Sequence, residues 1–213
     1  MRRILANMML HNGFRTSFVL VFGIVGNVTR RYAVMVDFDG LLIDMSSYEH
    51  ELDDPQPRKW RRFLAHTPTA PPMATGITLL EQLAGLGWPY SVSTTRPGWA
   101  LDGVQNWLAH HAPEAPQATY ARLSPTVDPV TCKRTHYFSA RYHRDSPAIC
   151  TLFVDDELPV VHELAAATVP AMHISEFATL TERDILTMLR RSRRALYGQA
   201  TDSPAANLIG MRR

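Results

Sequence analysis

Hydrophobic residues alternate along this chain between short apolar runs and stretches with helical spacing. Runs of the kind that form buried strands lie at residues 33–38, 89–94, 118–123, 148–156 and 169–174. Helical spacing occurs at residues 57–66, 77–87, 98–111, 129–144, 157–167 and 181–196. Strands that alternate with helices favour a parallel sheet covered on both faces. The pattern therefore predicts an α/β fold with a parallel sheet of about five strands.

One predicted helix has an apolar face that is easy to identify. In the segment 98–111, the side chains of Trp99, Val104, Trp107 and Leu108 lie on or near one face. Apolar side chains that share a helix face normally pack against the core. We therefore expect Trp107 and Leu108 to belong to the core.

The length and composition are those of an ordinary globular chain. The 213 residues favour one domain, and 46% hydrophobic with 20% charged residues excludes a mostly disordered chain. No run reaches the ~18 consecutive apolar residues of a membrane span, so we expect no integral membrane association. The two cysteines, Cys132 and Cys150, are too few for a disulfide framework, which favours a reducing, cytoplasmic environment.

Charge divides the chain into three parts. Residues 32–189 hold 11 basic and 19 acidic residues, whereas residues 1–31 and 190–213 together hold 11 basic residues and one acidic residue. We interpret residues 1–31 as a basic and apolar extension without a targeting role; a membrane-surface anchor, an extra strand or a non-native upstream start stay open. The middle part is the predicted domain, and residues 190–213 form an Arg-rich tail predicted to be disordered. The acidic middle part does not indicate a broad nucleic-acid-binding face.

Chemically active side chains follow the predicted strands at their carboxyl ends. They are Asp37, Asp39 and Gly40 after the first strand, Thr94, Thr95 and Arg96 after the second, Lys133 beyond the third, and Asp155 and Asp156 after the fourth. Because these ends share one edge of a parallel sheet, where ligands bind, we expect the residues to converge. Carboxylates close together repel one another unless a cation joins them, and Mg²⁺ takes carboxylate oxygens together with substrate phosphate. The predicted Mg²⁺ ligands are Asp37, Asp39, Asp155 and Asp156.

This set of residues fits the hydrolysis of a phosphomonoester in two steps. Asp37 is expected to attack phosphorus as a nucleophile and to carry the phosphoryl group. Asp39 is expected to protonate the leaving oxygen and then to activate water. Thr94 would hold a phosphoryl oxygen, and Lys133 would balance charge on the nucleophile and the phosphate.

Three further residues are predicted to bind the substrate. Gly40 allows the backbone to turn sharply and to approach the phosphate. Thr95 and Arg96 follow Thr94 at the same strand end, although Arg96 could instead only cover the surface. Asp156 has a comparable alternative, because an acid at that position could cap the helix that follows.

Four segments, in this order along the chain, resemble the motifs of the haloacid dehalogenase superfamily of hydrolases. They are VMVDFDGLLID, YSVSTTRP, DPVTCK and TLFVDDE. The resemblance covers residues 32–177 and departs from the usual pattern at Leu41, where a Thr is common. It implies a Rossmann-like α/β fold, an aspartyl-phosphate intermediate and Mg²⁺ as the cofactor. Only a small insert, around residues 44–72, is available as a cap, so a bulky substrate is expected to reach the site.

A narrower resemblance concerns the second and third motifs. The segment TTRPGWALDGVQNWL is similar to a stretch of the 3′-phosphatase domain of polynucleotide kinase–phosphatases, and PTVDPVTCK is similar to the approach to the lysine motif there. No G-x-x-x-x-G-K followed by Ser or Thr occurs, so the kinase half of such enzymes is not expected. The resemblance implies a stand-alone phosphatase that acts on polynucleotide 3′-ends or nucleotides.

Several alternatives stay open on the sequence. The chain could be a nucleotidase or small-metabolite phosphatase of the same superfamily, or a non-catalytic binding domain that keeps the fold. A phosphotransferase would use the same aspartyl-phosphate. Zinc is a further alternative, but the spacing of its candidate ligands matches no familiar zinc site. Those ligands are Cys132, His136, His143 and Cys150.

Overall fold

The structure is a computed structural model that describes residues 32–56, 58–142, 148–188 and 190–191. The predicted extension at residues 1–31 lies outside the described residues, as does the predicted tail from residue 192 onward. His143 of the zinc alternative lies outside them too. Within the described ranges, no helix is long and apolar enough to cross a membrane.

Five parallel strands form one sheet, as the sequence predicted. They are β1 (Ala33–Asp37), β2 (Tyr90–Pro97), β3 (Thr119–Arg122), β4 (Cys150–Asp155) and β5 (Ala171–His173). Their order across the sheet is β3-β2-β1-β4-β5, and every neighbouring pair is parallel. β1 therefore lies at the centre, between β2 and β4. This order places the three strand ends that carry acids and hydroxyls side by side.

Helices connect the strands. They are α1 (Lys59–Ala65), α2 (Ala74–Gly85), α3 (Leu101–His111), α4 (Pro129–Tyr142), α5 (Leu158–Ala166) and α6 (Ile174–Phe177). Short 3₁₀ helices occupy Ser46–Asp53, Thr67–Thr69 and Gly98–Ala100. Residues 182–188 are also helical, inside the helix predicted at 181–196.

The central strand shows why these helices lie on both faces. Successive side chains of a strand point to opposite faces, and all of β1 is buried. Val34 and Val36 belong to the core cluster that includes side chains of α2 and α3. Met35 belongs to a second cluster, with side chains of α4 and α5. A strand buried on both faces needs a continuous apolar run, which is the pattern that residues 33–38 show.

A small insert lies between β1 and α2, at residues 44–72. It contains the 3₁₀ helix Ser46–Asp53 and α1. Its two ends meet: Ile43 pairs with Pro72 in an antiparallel bridge, and the backbone N–H of Asp44 donates to the carbonyl of Pro71 at 2.9 Å. The prediction of a small insert in place of a large cap is confirmed for the described residues.

Trp99 does not share the apolar face that was predicted for this helix. Val104, Trp107 and Leu108 are buried, but Trp99 is 52% exposed. The reason is local, because Trp99 lies in the 3₁₀ turn Gly98–Ala100 rather than in α3. Its side chain is therefore not aligned with the apolar face of the helix.

Candidate functional site

The carboxyl edge of the sheet holds a buried group of charged residues, here called the inner cluster: Asp37, Lys133, Asp155 and Asp156. Asp37 ends β1 and is 2% exposed, and Asp155 ends β4 and is fully buried. α4 supplies Lys133, whose Nζ lies 2.8 Å from Oδ2 of Asp155 and 3.2 Å from Oδ2 of Asp37. The cluster thus joins residues from three elements that are far apart in sequence.

Burial and mutual charge shift the protonation of the inner cluster. Burial raises the pKa of Asp37 well above its usual value; Lys133 lowers that pKa in part, and the other carboxylates raise it. Burial lowers the pKa of Lys133, but Asp37 and Asp155 raise it by more, so the ammonium stays protonated. Burial and then the charge of Asp155 raise the pKa of Asp156 to about 6. The cluster is therefore short of positive charge.

Two oxygens of the inner cluster fit a cation. Oδ1 of Asp37 and Oδ1 of Asp156 are buried and have no hydrogen-bond partner among the described residues. One carboxylate oxygen from each of Asp37, Asp155 and Asp156 lies within 4.8 Å of the other two. This is the only such group of three or more ligating side chains in the part of the chain that the structure describes. Clustered carboxylate oxygens suit a hard divalent cation such as Mg²⁺.

Gly40 lies against the inner cluster. Its φ is +77°, a conformation that favours glycine. A Cβ at this position would lie 2.4 Å from Oδ2 of Asp156. The sequence predicted that the backbone at Gly40 turns sharply and approaches the phosphate; in the structure the loop after β1 turns there and lies against the Asp156 carboxylate.

A second group, here called the outer cluster, consists of Asp39, Thr94, Arg96 and Thr67. The hydroxyl of Thr94 donates to Oδ2 of Asp39 at 2.8 Å. Nε of Arg96 donates to Oδ1 of Asp39 at 2.8 Å, and Nη2 lies 2.7 Å from the same oxygen. Both oxygens of Asp39 are therefore engaged by protein donors.

Arg96 connects the outer cluster to the insert. Arg96 is only 4% exposed, so the alternative that it covers the surface does not hold. Nη1 donates to the hydroxyl of Thr67, which lies in the 3₁₀ helix after α1. The guanidinium also lies over the ring of Phe38, 5.0 Å from its centroid. Thr67 was not predicted as a site residue, because nothing in the local sequence indicates its distant partner.

The predicted site residues thus divide between the two clusters. Asp37, Asp155 and Asp156 form the possible ligand group, whereas Asp39, the fourth predicted ligand, is held in the outer cluster. Thr95 is partly buried and makes no side-chain hydrogen bond within the described residues.

A histidine that the sequence offered only as a possible zinc ligand lies buried beside the inner cluster. Nε2 of His136 lies 3.0 Å from the carbonyl of Ala121, so it carries the proton, and Nδ1 then accepts from the Ser93 hydroxyl at 2.9 Å. Burial lowers the pKa of His136, which favours the neutral ring. His136 follows Lys133 by one helical turn of α4 and ties that helix to β2 and β3.

The structure gives no support for zinc in its described part. Sγ of Cys132 lies 3.5 Å from Nε2 of His136. Sγ of Cys150 instead donates weakly to the carbonyl of Leu152. No group of three or more possible ligands among the described residues includes these side chains.

No protein-family model and no curated protein matches the chain. A chain of the Pnkp1/Rnl/Hen1 complex matches it with a TM-score of 0.50 and 14% identity, over 67% of this chain and 45% of that one. The class C acid phosphatase from Bacillus anthracis with tungstate bound matches with a TM-score of 0.44 and 18% identity, over 68% and 60%. A haloacid dehalogenase-like family hydrolase from Streptococcus pneumoniae matches with a TM-score of 0.46 and 17% identity, over 67% and 84%.

These similarities concern the fold. This chain spans less than half the length of the matched chain in the Pnkp1/Rnl/Hen1 complex. The parallel sheet, its strand order and the helices on both faces give the α/β fold that the sequence predicted, and the match to the chain of the Pnkp1/Rnl/Hen1 complex is a likeness of that fold.

Proposed function

We propose that this chain is a Mg²⁺-dependent phosphomonoester hydrolase that works through an aspartyl-phosphate on Asp37. The inner cluster is the observation that carries the proposal: two buried carboxylate oxygens lack a partner among the described residues, beside a lysine that is 3% exposed. Buried charges are costly unless they are paired. A cation and a phosphate together would pair them, because the carboxylates attract the cation and Lys133 attracts the phosphate.

The residues present fit one divalent cation. Asp37, Asp155 and Asp156 would hold it through carboxylate oxygens. Three carboxylates and one ammonium leave two formal negative charges in the inner cluster, which one Mg²⁺ cancels. When bound, Mg²⁺ would add positive charge beside the phosphoryl oxygens. Asp39 is a weaker candidate ligand, since both its oxygens already accept hydrogen bonds.

Asp37 and Asp39 would divide the chemistry between them. An oxygen of Asp37 forms a bond to phosphorus while the bond from phosphorus to the leaving oxygen breaks. Asp39, which takes up a proton from solvent when the substrate displaces it from Arg96, gives that proton to the leaving oxygen. Water then attacks phosphorus, Asp39 takes a proton from the water, and Asp37 is regenerated as inorganic phosphate leaves. Lys133 favours the ionised form of Asp37 before the attack, because its charge lowers the pKa of that carboxyl.

The outer cluster supplies a place for the phosphoryl oxygens. Thr94 and Arg96 already donate to the oxygens of one anion, the Asp39 carboxylate. Phosphate offers the same kind of acceptor, and arginine binds both groups well. A substrate phosphate would compete with Asp39 for these donors. That competition would release the Asp39 carboxyl for proton transfer.

The substrate that we favour is a phosphate on a polynucleotide 3′-end or on a nucleotide. The resemblance of TTRPGWALDGVQNWL supports this choice, and so does the small size of the insert, which leaves room for a bulky leaving group. The excess of acidic residues in the middle of the chain favours a second candidate, a small-metabolite phosphatase.

Phosphate release from an aryl phosphate and from a 3′-phosphorylated oligonucleotide, each with Mg²⁺ and with EDTA, tests the proposal. We expect Asp37→Asn to lower the rate at least about a thousand-fold. Asp53→Asn, which changes an exposed acid on the insert, is the matched control and should leave the rate unchanged. Release that survives EDTA or Asp37→Asn contradicts the mechanism. Release from neither substrate would favour the non-catalytic binding domain.

A further inference from the structure

Exposed hydrophobic side chains gather around the edge of the sheet that carries the site. The four large ones among the described residues are Trp60, Trp99, Leu123 and Leu158. Three of them follow the carboxyl ends of β2, β3 and β4 within a few residues, and Trp60 lies on the insert. Exposed apolar side chains that gather in one region indicate a binding surface.

Trp99 differs from the other three because a charged group accompanies it. Trp99 is 52% exposed. The guanidinium carbon of Arg61 lies 5.1 Å from the centroid of the Trp99 ring. Arg61 takes part in no ion pair within the described ranges. Its neighbour Arg62, by contrast, is paired with Glu51 and Asp54. The pair therefore presents an aromatic ring together with an uncompensated positive charge.

Both members of this pair are anchored close to the outer cluster. Trp99 follows Arg96 by three residues, so their Cα atoms lie at most about 11 Å apart. Arg61 lies on α1, and Thr67, just after the end of α1, accepts a hydrogen bond from Arg96. A nucleotide unit whose phosphate occupies the outer cluster is therefore within reach of this ring and this guanidinium.

We propose that Trp99 and Arg61 form a subsite for a nucleobase and the phosphate that adjoins it. The base stacks on the exposed indole, and the adjoining phosphate pairs with Arg61. Single-stranded nucleic acids are bound in this way, by aromatic rings that accept any base and by arginines nearby. The proposal rests on the proposed function, because it names the substrate class of the same site.

The charge on Arg61 favours a nucleotide unit over another aromatic phosphate. A phosphotyrosyl peptide brings one ring and one phosphate, and the catalytic site would use that phosphate. A strand end brings a base and a second phosphate as well, which matches the ring and the unpaired guanidinium. A mononucleotide supplies the base without a second phosphate. Its response to a change at Arg61 therefore distinguishes it from a strand end.

The test compares Trp99→Ala with Trp60→Ala. Trp60 is the matched control because it is equally exposed and adjacent to Arg61, but it contacts Phe63 and no cation of the described residues lies over its ring. The substrates are a 3′-phosphorylated oligothymidylate, the same oligomer with an abasic terminal unit, thymidine 3′-monophosphate and a phosphotyrosyl peptide. Trp99→Phe keeps a ring and shows whether aromatic character alone restores function.

We expect Trp99→Ala to raise KM for the oligothymidylate by about 5- to 150-fold, the range that one stacked base provides. kcat should stay within about two-fold of the wild-type value. The base on Trp99 lies away from the reacting phosphate, so it is bound equally in the ground state and in the transition state. The abasic oligomer should respond little, Trp99→Phe should recover most of the KM, and Trp60→Ala should behave as wild type. Arg61→Ala should raise KM for the oligothymidylate more than KM for thymidine 3′-monophosphate.

Equal effects of Trp99→Ala on the normal and abasic oligomers would overturn the subsite, and so would an effect confined to the phosphotyrosyl peptide. A separate measurement of binding tests the subsite even where no substrate is hydrolysed. In EDTA, the anisotropy of a labelled, unphosphorylated oligothymidylate reports binding alone. Binding that Trp99→Ala weakens, without hydrolysis of any substrate, would uphold the subsite and reject the phosphatase. Binding that no variant changes would reject the subsite even where hydrolysis is seen.

Discussion

Asp37 and Asp39 leave the same strand two residues apart, yet their carboxylates lie in different surroundings. One oxygen of Asp37 pairs with Lys133, and the other is buried without a partner among the described residues. The Asp39 side chain is 35% exposed, and both of its oxygens accept hydrogen bonds from Thr94 and Arg96. The inner cluster is short of positive charge, and the outer cluster is balanced. This difference is the basis of our proposal that one strand end serves both a cation and a substrate phosphate.

Lys133→Met should produce the largest change, because it removes the only ammonium of the inner cluster. Breaking a buried ion pair from one side costs about 3–5 kcal/mol. We expect a loss of that size in the free energy of unfolding near neutral pH without divalent cations, measured in urea. Lys59→Met changes the one other lysine of the chain, which is bonded only to the carbonyl of Leu52 among the described residues. A loss in Lys133→Met no larger than in Lys59→Met would refute the pairing.

Asp155→Asn and Asp39→Asn should differ in how much Mg²⁺ stabilises the folded protein, since only Asp155 belongs to the inner cluster. A ligand at about 100 times its Kd stabilises the folded state by about 2.7 kcal/mol. Wild type and Asp39→Asn should both gain stability in a Mg²⁺ titration followed by thermal unfolding, whereas Asp155→Asn should gain almost none. If Asp39→Asn loses the response as fully as Asp155→Asn, the cation does not distinguish the two clusters as we propose.

Arg96→Lys should damage the outer cluster and spare the inner one. Lysine keeps the charge but cannot hold Asp39 and Thr67 at once with a planar fork. Lost hydrogen bonds of a buried charged group cost about 1–3 kcal/mol. We expect that loss in unfolding experiments and a roughly 10- to 100-fold drop in turnover, with the Mg²⁺ response unchanged. Arg134→Lys, at an exposed position on α4, is the control, and an equal drop there would argue against a specific role of Arg96.

His136→Gln should have the smallest effect, visible only as a change with pH. Because burial lowers the pKa of His136, its neutral ring contributes stability above the unfolded pKa of about 6.5. That contribution is lost as pH falls through the lower folded pKa, with a slope of at most about 1.4 kcal/mol per pH unit. Gln should flatten this slope in urea unfolding below about pH 6.5. His110→Gln, an exposed control on α3, should keep the wild-type slope; identical slopes in all three proteins would contradict the assignment.

The inner strands of the sheet were accessible from the sequence because they are buried on both faces. Residues 33–38 were predicted as a strand and Ala33–Asp37 form one, and 148–156 contain Cys150–Asp155. The 3₁₀ helix Ser46–Asp53 was not predicted. None of its residues is buried, so it has no apolar period to detect.

The partners of the site residues were less accessible than their identities. The sequence predicted that Asp37, Lys133 and Asp155 converge, because each follows a strand end of a parallel sheet. It gave no sign that Arg96 reaches Thr67, 29 residues away, or that Ser93 reaches His136, 43 residues away. Such pairs depend on how the insert and α4 pack on the sheet, which periodicity along one segment does not encode.

The two ends of the insert meet where Ile43 pairs with Pro72. The residues between these ends can therefore be replaced without moving the rest of the fold. Because the two ends meet there, a segment of another length could replace the residues between them while β1 and α2 keep their spacing. The acids at the ends of β1 and β4 would stay in position. The main loss would be the bond from Arg96 to Thr67, for which a new segment would need an acceptor. If the chain acts as we propose, replacing the insert would change which substrates reach the site while Asp37 and Asp155 keep their positions.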